Sequence, residues 1–200
     1  MTPRVVLLDS GGANLGSVKA AFSRLDVDAP VTSDWNTIRD ATHVVLPGVG
    51  AAAVCMAKLR ENGLDKLIPR LTQPLIGICV GMQLLFERSE ESDTECLGLL
   101  PGTVRLLPSS TGIRVPHMGW NRLETTNADS HPLTAGLNQK HVYFVHSYAA
   151  APSTSTLATT THGVPFDAIV ARGSVSGAQF HPERSSVAGA RLLKNFLALA

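Results

Sequence analysis

The stretch "LIGICVGMQL", residues 75–84, decides how this chain folds. Its first four residues predict a buried β-strand, and the apolar spacing after Gly81 predicts a helix. Cys79 lies between them, with one glycine two residues before it and another two residues after it. A cysteine that only packs in a core needs neither glycine. A cysteine at the tip of a sharp turn needs both, because neighbouring backbone must approach it without Cβ atoms in the way.

Similar apolar runs recur along the chain and alternate with helical patterns. The early runs are continuous, which is typical of parallel strands buried on both faces of a sheet. Strands that alternate with helices predict an α/β fold, a mostly parallel central sheet with helices on both faces. The predicted strands cover residues 5–8, 44–46, 75–78, 142–145, 168–171 and 177–180. The predicted helices lie at residues 14–25, 51–71 (one or two helices), 81–88 and 185–200.

The middle of the chain has a different character. Residues 97–148 are richer in proline and glycine and in short extended runs, and we interpret them as an antiparallel hairpin extension attached to the sheet. Residues 151–163 are rich in serine and threonine, which fits either a surface loop or an exposed strand. The sequence contains no internal repeat and no linker, so we expect one domain over residues 1–200.

Composition excludes several classes of protein. Hydrophobic residues make up 44% of the 200 residues and charged residues 16%, which suits a globular core. The net charge of +1 gives no electrostatic reason to expect nucleic acid or an anionic membrane surface as a partner. The longest nearly apolar run, residues 44–57, is too short to span a membrane. Three cysteines without a secretory signal favour reduced thiols in the cytoplasm.

The position of Cys79 predicts a nucleophile. A strand, a turn and a helix are the setting of a nucleophile elbow, here with cysteine in place of serine. The turn would place the sulfur over a helix N-terminus, where partial positive charge favours the reactive thiolate. The amide of Val80 would face an oxyanion formed by attack. The pattern alone leaves open that Cys79 is a small buried residue of the core.

A base for this thiol is offered by "GAQFHPERSS", residues 177–186. An apolar strand ends just before His181, and the proline that follows keeps the chain extended. Glu183 can then fold back and hold one nitrogen of the imidazole. Both this loop and the elbow follow strand ends, which is the edge where open α/β sheets carry their sites.

The stretch "VVLPGVGA", residues 44–51, is a third element. Its glycines would let Gly48 and Val49 present backbone amides to the site, although an ordinary strand-to-helix turn would look the same. Glycine on both sides of Val49 also makes the adjoining peptides easy to rotate. The Val49 amide is therefore a candidate oxyanion donor that a partner could switch on.

The glycine-rich start "DSGGANLGS", residues 9–17, is not a phosphate-binding loop. It lacks the spacing G-x-G-x-x-G, and no lysine follows Gly16. We interpret it as a tight turn into the first helix, with Asn14 as a helix cap or interface residue.

Taken together, "PGVG", "GICVGMQLLF" and "QFHPE" resemble the Cys-His-Glu motifs of class I, triad-type glutamine amidotransferases. "RVPHMGWN" (residues 114–121) and "YFVHSY" (residues 143–148) resemble the glutaminase subunits of imidazole glycerol phosphate synthases within that family. The resemblance covers nearly the whole chain and implies a flavodoxin-like sheet and no cofactor. It also implies hydrolysis of L-glutamine to glutamate and ammonia. The ammonia would pass through a (β/α)8-barrel cyclase subunit, which makes imidazole glycerol phosphate and an aminoimidazole carboxamide ribotide in histidine biosynthesis.

The resemblance also assigns roles to residues. It makes Cys79 the nucleophile, His181 the general base and acid, and Glu183 the residue that orients His181. The backbone oxyanion donors would be those of Val49 and Val80. The residues that match glutamine-holding positions are Gly48, Gln83, Glu91, His146, Ser147 and Tyr148. The residues that match positions near the cyclase interface are Asn14, Met118, Trp120, Tyr143 and Arg184.

The chain departs from the family pattern in three places. One is conservative: Val80 follows the nucleophile where leucine is commoner. The family often has Asp-Tyr-Gly-x-Gly-Asn near its start, where this chain has residues 9–14, Asp-Ser-Gly-Gly-Ala-Asn. This change affects the local turn and interface rather than catalysis. Ala52 stands where an aromatic residue is common, and we expect looser packing near the PGVG segment.

Other functions remain to be weighed against this one. A glutaminase for pyridoxal phosphate synthesis would carry a Gly-Gly-Glu-Ser type signature near the oxyanion strand, where this chain has Pro-Gly-Val-Gly at residues 47–50. A pseudoenzyme that only supports its partner would need a defect that the intact triad does not reveal. No cysteine or histidine has the spacing of a metal site. Cys55 is expected in the core and Cys96 in a polar loop, and His117 could simply pack in a hairpin.

Overall fold

The computed structural model describes residues 3–11, 14–126 and 131–200. Gly12 and Ala13, which belong to the departing stretch near the start, lie outside the described residues. The helices are α1 Leu15–Ser23, α2 Trp35–Asp40, α3 Ala52–Glu61, α4 Leu64–Leu67, α5 Val80–Gln83 and α6 Ser186–Leu197. Short 3-10 helices cover Ile68–Arg70, Glu91–Asp93, Pro132–Thr134 and Pro182–Arg184.

The strands fall into one large sheet and two small ones. They are β1 Val5–Leu8, β2 Val31–Thr32, β3 His43–Gly48, β4 Leu75–Cys79, β5 Arg88–Ser89, β6 Thr94–Glu95, β7 Thr103–Leu106, β8 His117–Arg122, β9 Glu124–Thr125, β10 His141–His146, β11 Tyr148–Ala150, β12 Thr156–His162, β13 Val164–Arg172 and β14 Val175–Ala178. The central sheet has eight strands in the order β2-β1-β3-β4-β14-β13-β12-β9.

The central sheet is parallel where the site lies. Strands β2, β1, β3, β4 and β14 pair in parallel, and the remaining neighbours pair antiparallel. Every residue of β1, β3 and β4 is buried, as expected for strands covered on both faces. The predicted α/β fold with a mostly parallel central sheet is confirmed. In this order β4, which carries Cys79, lies beside β14, which leads to His181.

The middle of the chain forms two small sheets beside the central one. Strands β8 and β10 pair antiparallel, and β11, β7, β5 and β6 form a four-stranded sheet. The antiparallel hairpin character predicted for residues 97–148 is therefore confirmed. Strand β9 connects this region to the central sheet, where it pairs with β12.

The helix predicted over residues 81–88 was wrong beyond its first turn. Helix α5 ends at Gln83, because the carbonyls of residues 84–87 accept hydrogen bonds from the returning segment 96–100 instead of from helical amides. The segment that follows is therefore held by a distant part of the chain and not by its own helical pattern.

The serine- and threonine-rich segment forms a strand, one of the two structures expected for it. Residues 156–162 make up β12, whose burial alternates along most of its length. A strand with one polar face has a sequence much like that of a loop, which is why the pattern could not decide between them.

The helices pack their apolar stripes onto the sheet. Helix α1 buries Val18 and Phe22, and α6 buries Leu192, Leu193 and Phe196. Within the described residues no helix is both long enough and apolar enough to cross a membrane.

A carboxyl group is buried in the antiparallel half of the sheet. Asp167 on β13 is 0% exposed, and its Oδ1 accepts a hydrogen bond of 2.6 Å from the hydroxyl of Thr156. Its Oδ2 has no partner among the described residues. Burial raises the pKa of Asp167 to about 7, against a weaker opposing effect of the Thr156 hydrogen bond. The folded protein therefore holds this carboxyl protonated over a range where the unfolded chain ionises it.

We predict that Asp167→Asn stabilises the protein increasingly as pH rises from about 4 to about 7. A folded-state pKa raised above 3.8 gives stability that is complete below the unfolded value and lost as pH rises through the folded one. Asparagine keeps the acceptor for Thr156 and does not ionise. The gain has an upper bound of about 4 kcal/mol, from about 1.4 kcal/mol per pKa unit. Thermal unfolding of both proteins at pH 4 and pH 8 measures it, and an equal difference in Tm at the two values contradicts it.

Candidate active site

The turn after β4 holds Cys79 in a strained backbone conformation. Its φ is 53° and its ψ is −114°, values that residues with a Cβ rarely adopt. A Cβ on Gly81 would lie 1.8 Å from the carbonyl oxygen of Leu46, and one on Gly77 would lie 2.5 Å from the carbonyl oxygen of Gly81. The predicted reason for the two glycines, close backbone approach around the elbow, is thus confirmed.

The imidazole of His181 is fixed by the carboxylate of Glu183. Its Nδ1 lies 2.7 Å from Glu183 Oε1, and both side chains are almost fully buried. Asn14 Nδ2 donates a 2.5 Å hydrogen bond to the same oxygen. Asn14 precedes helix α1 but makes no capping hydrogen bond with its side chain. The expectation of a helix cap was therefore wrong, because the amide is engaged by Glu183.

The backbone of this loop is attached to strand β10. The amide of His181 donates to the carbonyl of Tyr143 at 3.0 Å. The hydroxyl of Ser185 donates to the carbonyl of His181 at 2.7 Å and accepts from the amide of Tyr143 at 2.9 Å. Three hydrogen bonds therefore set the position from which the imidazole reaches the pocket.

The charges of the three side chains support one another. Burial lowers the pKa of His181, but hydrogen bonds to Cys79 and Glu183 outweigh it and raise the pKa well above its ordinary value. Burial alone would raise the pKa of Glu183, but the hydrogen bond and charge of His181 hold it low. His181 is therefore held as an imidazolium between the sulfur of Cys79 and the carboxylate of Glu183. Helix α5, with four residues, is too short for the dipole effect that the sequence suggested.

These groups open onto a pocket of about 530 Å³. It brings together most of the predicted residues from five separate parts of the chain. The predicted residues that line it are Asn14, Val49, Cys79, Val80, Gln83, Glu91, His146, Ser147, Tyr148, His181 and Arg184. Gly48 and Glu183 are not among its lining residues, and neither are Met118, Trp120 and Tyr143.

Some lining residues have side chains that are already engaged. Gln83 Nε2 donates to the carbonyl of Tyr148 at 2.8 Å and to Gln179 Oε1 at 3.0 Å. Glu91 Oε2 accepts from the amide of Ala52 at 2.7 Å, so a carboxylate from a distant loop binds the first turn of α3. Ala52 itself is fully buried. The charged residues around Glu91 in the sequence do not predict this contact.

The oxyanion segment is held from both sides. Ser10 is fully buried, and its hydroxyl donates to the carbonyl of Pro47 at 2.5 Å. The thiol of Cys55 donates to the carbonyl of Val49 at 3.6 Å. The serine that replaces the family's tyrosine thus binds the backbone one residue before Gly48. Cys55 is buried in the core, as expected.

Three residues of the site were missed by sequence reasoning. Ser10 and Ser185 each act through a hydrogen bond to backbone about forty residues away, and Gln179 Nε2 lies 3.9 Å from the sulfur of Cys79. Gln179 stands two residues before His181 and directly follows β14, the strand that pairs with β4. Knowledge of this strand order would have placed Gln179 beside Cys79. The serines carry no sequence signal of their own.

An exposed aromatic patch lies beside the site. Met118 is 63% exposed and Trp120 is 55% exposed, although both are large and apolar. The ring of Tyr143 meets Trp120 edge-on at 6.1 Å, and the guanidinium of Arg184 lies 6.0 Å from the centre of the Tyr143 ring. We call Met118, Trp120, Tyr143 and Arg184 the aromatic patch. Arg184 also lines the pocket, which connects the two.

Known proteins are similar to this chain in sequence. Residues 6–200 match the family described as glutamine amidotransferase class-I. The chain is 54% identical, over 98% of both chains, to imidazole glycerol phosphate synthase subunit HisH of Xanthomonas euvesicatoria pv. vesicatoria. It is also 54% identical, over 96% of both chains, to the protein of the same name from Xylella fastidiosa (strain Temecula1).

Solved structures agree at the level of the fold. A crystal structure of a glutamine amidotransferase aligns with a TM-score of 0.74 and 21% identity, over 96% of this chain and 97% of that one. A glutamine amidotransferase of Thermotoga maritima aligns with a TM-score of 0.61 and 17% identity, over 98% and 83% of the two chains.

We predict that iodoacetamide at pH 7 alkylates Cys79 before Cys55 and Cys96. Burial raises the pKa of Cys55, and it raises the pKa of Cys96 to about 11, so both are mostly unreactive thiols. Cys79 faces the pocket beside an imidazolium. Peptide mass spectrometry of time points gives the order, and His181→Ala should slow labelling of Cys79. Faster labelling of Cys96, or no effect of His181→Ala, contradicts the proposed pairing.

Proposed function

Because the chain belongs to the class-I glutamine amidotransferases, we propose that it is the glutaminase subunit of an imidazole glycerol phosphate synthase. It hydrolyses L-glutamine to glutamate and ammonia for histidine biosynthesis. The observation that carries this function is that Cys79 and His181 line one pocket while Glu183 holds His181 from behind, in a chain about 54% identical to such subunits over nearly its full length. One amidotransferase domain over residues 1–200 and a cytoplasmic location complete the proposal.

Hydrolysis proceeds in two stages. The thiolate of Cys79 attacks the side-chain carboxamide carbon of glutamine and forms a tetrahedral oxyanion. The imidazolium of His181 then gives its proton to the departing nitrogen. The nitrogen leaves as ammonia, and the acyl group remains bound to Cys79 as a thioester. Neutral His181 takes a proton from water, which attacks the thioester and releases glutamate. Glutamine and water are consumed, and glutamate and ammonia are formed.

The charged form of His181, which exists before the first proton transfer and after the second, is supported by two side chains. Glu183 holds Nδ1 at 2.7 Å and fixes the ring so that Nε2 is left for the sulfur and the leaving group. Asn14 in turn holds the carboxylate of Glu183. Asn14 therefore acts through Glu183 in addition to its predicted place near the partner.

The oxyanion is stabilised by the amides of Val80 and Val49. Val80 follows the nucleophile at the start of α5, and Val49 lines the same pocket. Ser10 and Cys55 bind the carbonyls of Pro47 and Val49, on either side of the peptide that carries the Val49 amide. Loss of one such donor costs about 3–4 kcal/mol of transition-state stabilisation. A rotation of this peptide that removes the Val49 amide would therefore lower the rate enough to switch the enzyme off.

Glutamine is held by the walls of the pocket. Val49 and residues 146–148 supply backbone groups, and Glu91 supplies a carboxylate for the α-ammonium group. Gln83 supports the wall by holding the carbonyl of Tyr148. The side-chain amide nitrogen of Gln83 is already engaged, so its role is to shape the site.

The partner is a (β/α)8-barrel cyclase subunit that receives the ammonia. The aromatic patch is the docking surface, since exposed Met, Trp, Tyr and Arg side chains are those enriched in protein interfaces. Its closeness to the pocket, through Arg184, suits direct transfer of ammonia between the two subunits.

We predict that Cys79→Ala abolishes glutamine-dependent cyclisation by the assembled synthase but leaves ammonia-dependent cyclisation intact. The thiol serves only the glutaminase half-reaction. Glutamate release and imidazole glycerol phosphate formation are measured with glutamine and then with ammonium salt. Cys96→Ser is the matched control and keeps both activities. Normal glutamate release by Cys79→Ala contradicts the mechanism, and inactivity of the wild-type complex with glutamine would identify a pseudoenzyme.

We predict that Trp120→Ala weakens binding of the cyclase and lowers glutaminase stimulation by it. Truncation of a central aromatic anchor typically costs 2 kcal/mol or more, about thirtyfold in Kd. The control is Trp35→Ala, the same change at the other tryptophan. Trp35 lies on α2 outside the aromatic patch, so its substitution leaves binding unchanged. Titration calorimetry with the purified cyclase gives both Kd values. Equal effects of the two substitutions would remove the aromatic patch from the interface.

A further inference from the structure

A chain of hydrogen bonds runs through the protein from strand β8 to the wall of the glutamine pocket. Asn121 Nδ2 lies 3.3 Å from His117 Nε2, and His117 Nδ1 lies 3.3 Å from His146 Nε2. His146 Nδ1 in turn lies 2.9 Å from the carbonyl oxygen of Tyr148. His146 and Tyr148 both line the pocket, whereas His117 and Asn121 do not.

The donor-to-acceptor direction of these hydrogen bonds follows from the groups at the two ends, Asn121 and Tyr148. Asn121 Oδ1 accepts from the amide of Arg122 at 2.8 Å, and Asn121 Nδ2 donates to the carbonyl of Thr161 at 2.9 Å. The amide orientation is thus fixed, and the group that faces His117 Nε2 is a donor. At the other end, the Tyr148 carbonyl can only accept.

These ends fix the proton on each ring. His117 Nε2 must accept from Asn121, so a neutral His117 carries its proton on Nδ1 and donates it to His146 Nε2. His146 Nε2 is then an acceptor, and its Nδ1 carries the proton that Tyr148 accepts. A single orientation of donors therefore extends through both imidazoles.

The surroundings keep both rings neutral. His117 and His146 are buried, and His117 stacks on Phe144 and His162 with ring centres 4.9 Å and 4.2 Å apart. Burial lowers the pKa of His117 to about 4 and that of His146 to about 3. Each nitrogen of both rings has a partner, as buried polar groups require.

The hydrogen-bond chain ends at the carbonyl of Tyr148, and the glutamine site depends on the position of this carbonyl. The Tyr148 carbonyl accepts from His146 Nδ1 and also from Gln83 Nε2, the residue that binds Gln179 beneath the sulfur. Two buried donors thus hold one carbonyl of the segment 146–148. The position of this carbonyl sets the wall against which glutamine lies.

We infer that His117 and His146 form a neutral relay, protonated on Nδ1 of both rings, that positions residues 146–148 for glutamine. His117 is a positioning residue, since it acts through His146 and does not reach the pocket. The relay also begins on the strand that carries Met118 and Trp120, whose side chains alternate with those of His117 and Asn121. The functional part of this inference rests on the glutaminase activity proposed above.

The proton positions are tested directly on the unmodified full chain. Two-dimensional ¹⁵N–¹H correlation spectra of the imidazole rings distinguish the Nδ1–H from the Nε2–H tautomer. We expect Nδ1–H for both His117 and His146 at pH 7, with assignments from single His→Gln variants. His162 Nε2 lies 2.7 Å from the carbonyl of Arg114 and serves as an internal reference with the proton on Nε2. An Nε2–H tautomer or a charged ring at either relay position overturns the inference.

The positioning role is tested by kinetics of the synthase complex. His117→Phe keeps a stacking ring but removes both hydrogen bonds, so we expect the KM for glutamine to rise about tenfold with little change in kcat. His117→Gln can accept from Asn121 and donate to His146, and should restore most of the loss. His43→Phe is the matched control, because His43 is also buried, contacts Phe196 edge-on and lies next to a carbonyl, that of Leu199, away from the pocket.

The outcomes separate the inference from the proposed function. An unchanged KM in His117→Phe, or an equal rise in His43→Phe, overturns the positioning role even when the enzyme is an active glutaminase. Inactive wild-type protein would refute the proposed function, while the tautomers of the two rings would still be decided by the spectra. If His117→Phe fails to fold, the spectra of the wild-type chain and the kinetics of His117→Gln against His43→Phe still decide the inference.

Discussion

The site depends on one close approach of backbone to backbone. Helix α5 begins so near the end of β3 that no Cβ fits at Gly81 against the carbonyl of Leu46. At the start of the same helix Cys79 holds a positive-φ conformation, which costs on the order of 1–3 kcal/mol. Strands β3 and β4, which are buried along their whole length, supply the packing that offsets the strain. The backbone of the sheet therefore brings the sulfur to the edge where its partners lie.

The same edge of the sheet brings together the other groups of the site, each of which is held in place by the next. Strand β14 delivers His181 beside Cys79, Glu183 fixes the ring, and Asn14 fixes the glutamate. Tyr143 joins two functions, because its backbone anchors the His181 loop while its ring belongs to the aromatic patch. A partner that moves Tyr143 would change the position of the base without touching the pocket.

Much of this could be predicted from the sequence. Continuous apolar runs gave strands β1, β3 and β4 closely, because parallel strands buried on both faces have a simple signature. The elbow and the His-Pro-Glu loop identified the triad residues as candidates. The length of α5 could not be predicted, since the carbonyls that follow it are taken by a segment that returns about ten residues later. Ser10, Asn14 and His117 were misjudged or missed for the same reason, because their partners lie tens to more than a hundred residues away in sequence.

The strand order also has a consequence for how the protein is made. Strand β14 lies between β4 and β13, yet all of residues 80–174 are synthesised between β4 and β14. At about 5–20 residues per second, this interval lasts on the order of 5–20 s on the ribosome. During it β4 has an unpaired edge, which is a surface prone to pair with other chains. The thiol therefore emerges well before its base, so an incomplete chain is protected from premature chemistry but exposed to misassembly.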